Sequence, residues 1–146
     1  MEIKIKTYDE LTKDELYEIL GARESVFTVE KGMICHDIDG KDRDALHCSL
    51  IDGDTLLGYL RALRDGSGCV KIGRVITLTH GKGHGRVLFD KALPEICRKM
   101  NVSTVTVHAQ KDAVGFYLKM GFAPTSGEFL EEGVVHISMQ KLFKYF

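Results

Sequence analysis

The chain contains the glycine-rich stretch His80-Gly81-Lys82-Gly83-His84-Gly85-Arg86, which joins a strand-like segment (residues 70–78) to an amphipathic helical pattern. Three alternate glycines let the backbone turn with unusual dihedral angles and point several unpaired N–H groups in one direction. The helix that follows adds the positive end of its dipole at the same place. The stretch therefore predicts a binding site for an anion such as a phosphate; the alternative is a flexible turn that caps a helix.

Two common nucleotide-binding motifs are absent from the chain. A Walker loop ends in Gly-Lys-Ser or Gly-Lys-Thr, and neither tripeptide occurs. A dinucleotide-binding fold requires Gly-x-Gly-x-x-Gly near the start of a repeated strand–helix–strand unit. The spacing Gly81-x-Gly83-x-Gly85 is tighter and lies past the midpoint of the chain. The sequence therefore argues against both classes of nucleotide-binding protein.

The glycine stretch resembles the pyrophosphate loop of the GNAT superfamily, Arg/Gln-x-x-Gly-x-Gly/Ala, with His80 at the position of Arg or Gln. Residues 115–122, Gly-Phe-Tyr-Leu-Lys-Met-Gly-Phe, resemble the Phe-Tyr-x-x-x-Gly-Phe segment of the same family. Further stretches are similar to its ElaA-like and YjcF-like branch: residues 23–30, 37–40, 47, 73–76 and 131–137. On these motifs the chain is identified, over nearly its whole length, as a member of that branch.

Length and composition indicate one compact domain that spans residues 1–146. A chain of 146 residues, of which 44% are hydrophobic, can bury about two thirds of the surface of its unfolded state. The net charge is −1, and the 20 basic residues are scattered among 21 acidic ones, which disfavours nucleic acid as a partner. No long apolar run occurs. The sequence predicts no membrane contact and a soluble, cytoplasmic protein, and it leaves a homodimer open.

Metal binding is not predicted. The four cysteines have no Cys-x-x-Cys spacing, so reduced thiols are expected. The pairs Cys35-His36 and His47-Cys48 suggest zinc ligands, but adjacent residues on a strand point to opposite faces. The aspartates of residues 37–44 resemble a calcium loop only weakly, because no glutamate stands at the closing position.

The N-terminal region predicts a strand followed by a capped helix. Ile3 and Ile5 alternate with lysines, which is typical of a half-buried strand. Thr12 and Glu15 have the spacing of a capping box. The apolar stripe of the helix that they open continues to Phe27, and Arg23 falls on the same stripe. Because an inward-facing arginine is costly unless paired, Arg23 either lies at the helix edge or points into a pocket.

The remaining pattern predicts a mixed α/β fold. Polar residues 31–45 lack periodicity and are expected to form a loop that walls or covers a substrate site. Pro94 is expected to kink or split the helix that follows the glycine stretch. The other predicted elements are strands at residues 46–51, 55–63, 69–78 and 102–108, a short helix at residues 112–120, and a final hairpin at residues 122–142.

The resemblance also implies a donor and the residues that hold it. GNAT proteins are single-domain folds with a mixed, mostly antiparallel sheet, whose splayed central strands are flanked by helices and admit the pantetheine arm of acetyl-CoA. On this basis Val75, Ile76, Thr77 and Leu78 hold the pantetheine amides. His80, Gly81, Lys82, Gly83, His84, Gly85 and Arg86 hold the diphosphate.

Two side chains are predicted to carry the acid–base chemistry. Acetyl transfer requires a neutral amine and a proton for the leaving thiolate. Tyr117 is the predicted acid and a further acetyl-CoA contact, because a phenol of pKa about 10 is matched to an alkyl thiolate; the alternative is packing within a helix. His136 is the candidate base, because imidazole titrates near neutral pH; the alternative is a structural histidine.

A closer resemblance bears on the base and on the acceptor. Residues 135–139 resemble the Pro-His-Ile-x-Met segment of glyphosate N-acetyltransferase-like proteins, whose histidine is the catalytic base. Arg23 and Arg74 match arginines that hold the acidic acceptor in those relatives, whereas Gln110 stands at the position of a third. Glu30, working through water, is the alternative base.

Three functions are consistent with these features. The leading hypothesis is an N-acetyltransferase that moves the acetyl group of acetyl-CoA directly to the primary amine of a small molecule. The second is a non-catalytic domain that binds or senses acyl-CoA. The third is a phosphate-binding interaction module unrelated to CoA.

Overall fold

The computed structural model describes residues 1–144, which form one seven-stranded sheet with helices on both faces. Its helices are α1 (Lys13–Arg23), α2 (His84–Met100) and α3 (Val114–Lys119), with a π-helical turn at Glu24–Glu30 and 3-10 turns at Lys41–Asp44 and Lys111–Ala113. Its strands are β1 (Glu2–Thr7), β2 (Leu46–Asp52), β3 (Thr55–Arg64), β4 (Cys69–Thr77), β5 (Thr104–Gln110), β6 (Ala123–Glu131) and β7 (Val134–Leu142).

The sheet has the strand order β1-β2-β3-β4-β5-β7-β6. All neighbouring strands are antiparallel except β4 and β5, which are parallel. A parallel pair needs a long crossover, and α2 supplies it. The predicted mixed, mostly antiparallel sheet is therefore confirmed, as is the final hairpin of β6 and β7.

The main core lies between α2 and one face of the sheet. Along β5, Val105, Val107 and Ala109 are buried while the residues between them are half-exposed, as the alternation in the sequence predicts. They belong to the same buried cluster as Leu88 and Phe89 of α2. Complete burial of a large apolar side chain contributes about 1.5–3 kcal/mol, so this cluster dominates the stability of the fold.

Pro94 lies within α2, which runs on without interruption to Met100. Of the two outcomes predicted for Pro94, a kink or a split, the split is not found. Leu93 and Ile96, on either side of Pro94, are both buried in the main core. We infer that their packing outweighs the loss of one backbone hydrogen bond.

The α1 helix covers the opposite face of the sheet. Its capping box is confirmed, because Glu15 N donates to Thr12 Oγ1 at 3.0 Å and Thr12 N donates to Glu15 Oε1 at 2.9 Å. Ile19 packs with Tyr59 and Ile76 in a second buried cluster. The α-helical geometry ends at Arg23, earlier than the apolar stripe suggests, and a π-helical turn continues to Glu30. Within residues 1–144, no helix is long and apolar enough to cross a membrane.

Candidate functional site

The parallel pair of strands at the centre of the sheet separates halfway along. The pairing of β4 with β5 begins at Cys69 and Thr104 and stops at Ile72 and Val107. Both strands continue, β4 to Thr77 and β5 to Gln110. Backbone N–H and C=O groups that face the resulting gap need other partners, so the gap can receive an extended polar chain.

A β-bulge in β4 accounts for this separation. On the β3 side, Arg61 pairs with Gly73 and Tyr59 pairs with Ile76, so Arg74 and Val75 together oppose a single residue. Arg74 has a φ of 53°, a left-handed conformation that costs a non-glycine residue about 1–2 kcal/mol. A bulge bends its strand, and this one begins two residues after Ile72, the last residue of β4 that pairs with β5.

A cleft of about 820 Å³ follows the gap from the glycine stretch to the β5–β7 side of the sheet. Of the predicted site residues, those that line it are Arg74, Val75, Ile76, Thr77, His80, Gly81, Gly83, His84, Gly85, Arg86, Tyr117 and His136. One cleft therefore brings together most of the residues that the sequence assigned to the donor, both acid–base candidates, and one of the two arginines.

Leu78 and Lys82 were predicted to contact the donor, and neither lines the cleft. The Leu78 side chain is 40% exposed, and its backbone N–H donates to Leu57 O at 3.0 Å. The amide of Leu78, which the sequence assigned to the pantetheine arm, is thus already used by β3. Because backbone groups alternate in direction along a strand, the N–H and C=O of Thr77 point the other way, toward the gap.

The glycine stretch leaves the start of α2 open to a ligand. Gly81 and Gly83 both have a φ of 74°, which favours glycine, and Gly83 provides no side-chain cap for the helix. A Cβ on Gly85 would lie 3.3 Å from the ring of Phe116. His84 Nδ1 is buried and has no hydrogen-bond partner among the described residues. Uncapped N–H groups and this unpaired ring nitrogen suit a phosphate group.

Arg23 lies in the protein interior and does not line the cleft. Its Nε donates to Asp37 Oδ2 at 3.0 Å, its Nη1 to Asp42 Oδ1 at 2.8 Å, and its Nη2 to Asp37 O at 3.0 Å. All three nitrogens are therefore occupied. Arg23, which the sequence assigned to the acceptor, thus has its whole guanidinium group engaged by Asp37 and Asp42.

Two more arginines complete an arginine–aspartate cluster, which we define as Arg23, Arg61, Arg74, Asp37, Asp39 and Asp42. Arg61 Nη1 donates to Asp42 Oδ1 at 3.0 Å, and Arg61 Nη2 to Asp39 Oδ2 at 2.6 Å. Arg74 Nε lies 2.9 Å from Asp37 Oδ1. Equal numbers of cations and anions make the cluster neutral. It ties the loop of residues 31–45 to β3 and to the bulge of β4.

Asp42 is the most buried carboxylate of the cluster. Burial alone would raise the pKa of Asp42, but the hydrogen bonds and charges of Arg23 and Arg61 outweigh burial and hold it below its usual value. A lowered carboxyl pKa stabilises the fold above the pKa of the unfolded chain, about 3.9, and that stabilisation is lost as the pH falls through the folded-state pKa.

We expect Asp42→Asn to lower the free energy of unfolding at pH 7 by about 3–5 kcal/mol, because it leaves two buried guanidinium groups short of a counter-charge. Urea unfolding followed by circular dichroism measures the change. Asp44→Asn is the matched control, since Asp44 is exposed in the same 3-10 turn. Equal stability of the two variants would contradict the assigned role of the cluster.

Tyr117 is held in the cleft by aromatic packing. The ring centroids of Phe89, Phe116 and Phe122 lie 5.7, 5.2 and 5.5 Å from that of Tyr117, all in edge-on arrangements. Burial raises the pKa of Tyr117 above its usual value, so the phenol stays protonated at neutral pH. Within residues 1–144 its hydroxyl has no protein hydrogen-bond partner, which leaves the proton available to a ligand.

His136 is nearly buried on β7, with 4% of its surface exposed. Its Nδ1 lies 2.7 Å from Val134 O. Because a carbonyl can only accept a hydrogen bond, Nδ1 carries a proton, and Nε2 of the neutral ring keeps its lone pair. Nε2 lies 3.7 Å from Glu131 Oε2. The ring is thus oriented with its basic nitrogen away from the backbone.

Glu30, the alternative base, does not line the cleft but contacts His80, which does. Its carboxylate is paired with His80 Nε2, so the π-helical turn contacts the glycine stretch. A carboxylate engaged in this way is less suited to activating a water beside the acceptor.

Sequence reasoning missed three residues of the site: Arg61, His108 and Glu131. The signal for Arg61 was a charged residue within the apolar strand pattern of residues 55–63. His108 falls on the polar face of the alternating β5 pattern. Nothing in the local sequence distinguishes Glu131 from its neighbour Glu132.

Comparison with known proteins gives matches over nearly the full chain. A family model described as an acetyltransferase (GNAT) domain matches residues 13–143. Protein ElaA of Escherichia coli is 34% identical over 140 residues, which cover 92% of each chain. The uncharacterized N-acetyltransferase YjcF of Bacillus subtilis is 31% identical over 144 residues, 97% of this chain and 99% of the relative. An acyl-CoA N-acyltransferase from Pseudomonas aeruginosa has a similar crystal structure, with a TM-score of 0.87 and 32% identity, covering 96% of this chain and 98% of the other.

Proposed function

The chain belongs to the GNAT acetyltransferase family, and from that premise we propose that it transfers the acetyl group of acetyl-CoA to the primary amine of a small molecule. The observation that carries the proposal is the gap between β4 and β5, which runs from the glycine stretch to the part of the cleft lined by Tyr117 and His136. A donor in the gap would therefore meet the two candidate acid–base groups.

The residues present fit an acyl-CoA. The uncapped start of α2 and the unpaired His84 Nδ1 suit the diphosphate. The backbone groups of Thr77 that point into the gap suit the amides of the pantetheine arm. A cleft of about 820 Å³ is within the range of about 300–1,000 Å³ that is usual for ligand sites.

We expect Gly83→Val to weaken the binding of acetyl-CoA by about tenfold or more, measured by isothermal titration calorimetry. A β-branched residue is strained at a φ of 74° by about 1–2 kcal/mol, and the loop must move to relieve that strain.

Gly66→Val is the matched control for this prediction, because Gly66 has a φ of 75° in the turn between β3 and β4, away from the cleft. Both variants carry similar backbone strain. If Gly83→Val folded normally and bound acetyl-CoA as tightly as the Gly66→Val variant, the glycine stretch would not be the diphosphate site.

The proposed chemistry uses two residues of the cleft. Bound acetyl-CoA supplies an acetyl thioester, which a neutral amine can attack. His136 takes the proton of the amine on Nε2, the nitrogen that its contact with Val134 leaves free. Tyr117 donates its hydroxyl proton to the departing thiolate.

We propose a small amine as the acceptor, and we do not assign it a negative or a positive charge. Arg74 lines the cleft and remains a proposed acceptor contact, although Asp37 and Asp39 already balance its charge. With Arg23 buried, the pair of arginines that would favour an acidic acceptor is not available. An amine panel therefore has to include cationic as well as acidic molecules.

The test is a thiol-release assay with acetyl-CoA and a panel of amino acids, polyamines and aminoglycosides, with the products identified by mass spectrometry. We expect one class of amine to release CoA in equal amounts with an acetylated product. Release no faster than hydrolysis with every amine would contradict the proposed function. Tight binding of acetyl-CoA together with that result would favour a non-catalytic acyl-CoA-binding domain.

A further inference from the structure

A carboxylate bridges two histidines at the β5–β7 side of the cleft. Glu131 Oε1 accepts a hydrogen bond from His108 Nδ1 at 2.8 Å, and Glu131 Oε2 lies 3.7 Å from His136 Nε2. All three residues line the cleft. We call them the His108–Glu131–His136 group; each comes from a different strand or strand end, so the sheet fixes their spacing.

An aromatic ring shields this group from water on one side. The Phe129 ring stacks against His136, with centroids 6.0 Å apart and an interplanar angle of 26°. The same ring meets His108 edge-on at 5.2 Å. A positive charge on an imidazole ring that is nearly buried and packed against phenylalanine is costly unless a counter-charge faces it.

The carboxylate of Glu131 is suited to be that counter-charge. Burial alone would raise the pKa of Glu131, but the hydrogen bond and charge of His108 outweigh burial and keep it below its usual value. Glu131 is therefore ionised at neutral pH. The other charged groups of the cleft wall near it are Lys71 of β4, whose charge also lowers the pKa of Glu131, and Glu132 of the β6–β7 turn.

We propose that Glu131 is a positioning residue for His136: its carboxylate lies beside Nε2 at 3.7 Å, without a hydrogen bond to it, and its charge stabilises the imidazolium that forms when His136 deprotonates the acceptor amine. His108 holds the Glu131 carboxylate in place. The inference rests on the proposed function and deepens it, because it assigns to this chain a carboxylate that sets the strength of the base.

The proton transfer balances within the named groups. The N–H bond of the acceptor ammonium breaks and its electron pair stays on the amine nitrogen, while the proton forms a new bond to His136 Nε2. The imidazolium then carries one positive charge opposite one negative charge on Glu131. No oxidant, reductant or further reactant is required.

The experiment measures the protonation of the two ring nitrogens of His136 by ¹⁵N NMR, in the protein without ligands, across pH 5–9. In the wild type we expect a protonated Nδ1, held by Val134 O. In Glu131→Gln, which keeps the shape and removes the charge, the midpoint of the Nε2 signal is expected to move to lower pH than in the wild type. Glu131→Asp is expected to restore part of the shift.

Kinetics supply the second readout. For Glu131→Gln we expect kcat to fall by about 10- to 100-fold, the KM for acetyl-CoA to stay unchanged, and the acidic limb of the kcat profile to move to lower pH. Glu128→Gln is the control, because Glu128 lies on the same strand, outside the cleft lining, and pairs with Lys111. This control is expected to match the wild type in both measurements.

The two proposals fail in different ways. A His136 midpoint that is the same in the wild type, Glu131→Gln and Glu128→Gln would overturn the role of Glu131, whatever the activity. A second outcome is that the midpoint moves in Glu131→Gln while the wild-type protein acetylates no amine. That outcome would support the charge stabilisation by Glu131 and overturn the proposed function. Circular dichroism of each variant confirms that a folded protein is compared.

Discussion

Replacing Tyr117 with phenylalanine is expected to lower kcat for acetyl transfer by about 10²- to 10⁴-fold and to leave the affinity for acetyl-CoA nearly unchanged. The ring keeps its edge-on contacts with three phenylalanines, so the fold and the wall of the cleft are preserved. Only the proton proposed for the departing thiolate is removed.

The burial of Tyr117 bears on this expectation. Burial raises the pKa of Tyr117, so the hydroxyl is protonated at neutral pH and its proton is present when the thiolate departs. The same shift makes the phenol a weaker acid, so the transfer relies on the basicity of the alkyl thiolate.

For Tyr117→Phe, steady-state kinetics measure kcat, and calorimetry measures the affinity for acetyl-CoA. Tyr17→Phe is the matched control, because Tyr17 is 73% exposed on α1. A kcat for Tyr117→Phe within about threefold of this control would show that the hydroxyl is not the proton donor, and that the residue serves packing alone.

Replacing His136 with alanine is expected to lower kcat/KM by about 10²- to 10⁴-fold near neutral pH and to remove its rise with pH, which an imidazole base imposes. The variant lacks Nε2, the ring nitrogen that is not bonded to Val134 O. Added imidazole, which matches the vacated space, is expected to restore part of the activity.

A structural histidine would behave differently. Loss of the buried ring would then lower the free energy of unfolding while the pH profile kept its shape. Measuring the profile of kcat/KM for wild type and His136→Ala between pH 5.5 and 9 decides between the two roles. An unchanged profile would contradict the assignment of His136 as the base.

Local patterns in the sequence predicted the elements that depend on neighbouring residues. The alternation of residues 104–110 predicted the buried and polar faces of β5, and Thr12 with Glu15 predicted the start of α1. The glycine stretch predicted the sharp turn before α2, where two φ angles of 74° are found. Each of these signals lies within a few residues of the structure that it specifies.

The features that the sequence did not reveal depend on contacts between distant parts of the chain. Arg23 is enclosed because Asp37 and Asp42, 14 and 19 residues further along, bind all of its nitrogens. The helical periodicity correctly predicted that Arg23 faces inward, but no local pattern distinguishes a buried ion pair from a substrate contact. The same limit applies to Glu131 and His108, which are 23 residues apart.

The bulge at Arg74 could not be predicted from the sequence either, because it has an unexpected backbone angle and depends on contacts with distant residues. A residue with a φ of 53° is expected to be glycine, but the neighbouring Gly73 is not among the residues with a positive φ. Arg74 adopts the strained angle in a position where Asp37 and Asp39 bind its guanidinium group. We infer that the arginine–aspartate cluster offsets the strain and so maintains the opening between β4 and β5.

A crystal structure of the protein with bound acetyl-CoA is the decisive measurement for the proposed function. We expect the diphosphate at the N–H groups of Gly83 and Gly85, the pantetheine arm along β4 beside Thr77, and the thioester sulfur within hydrogen-bonding distance of the Tyr117 hydroxyl. Acetyl-CoA bound outside the gap between β4 and β5, or a thioester remote from Tyr117, would contradict it.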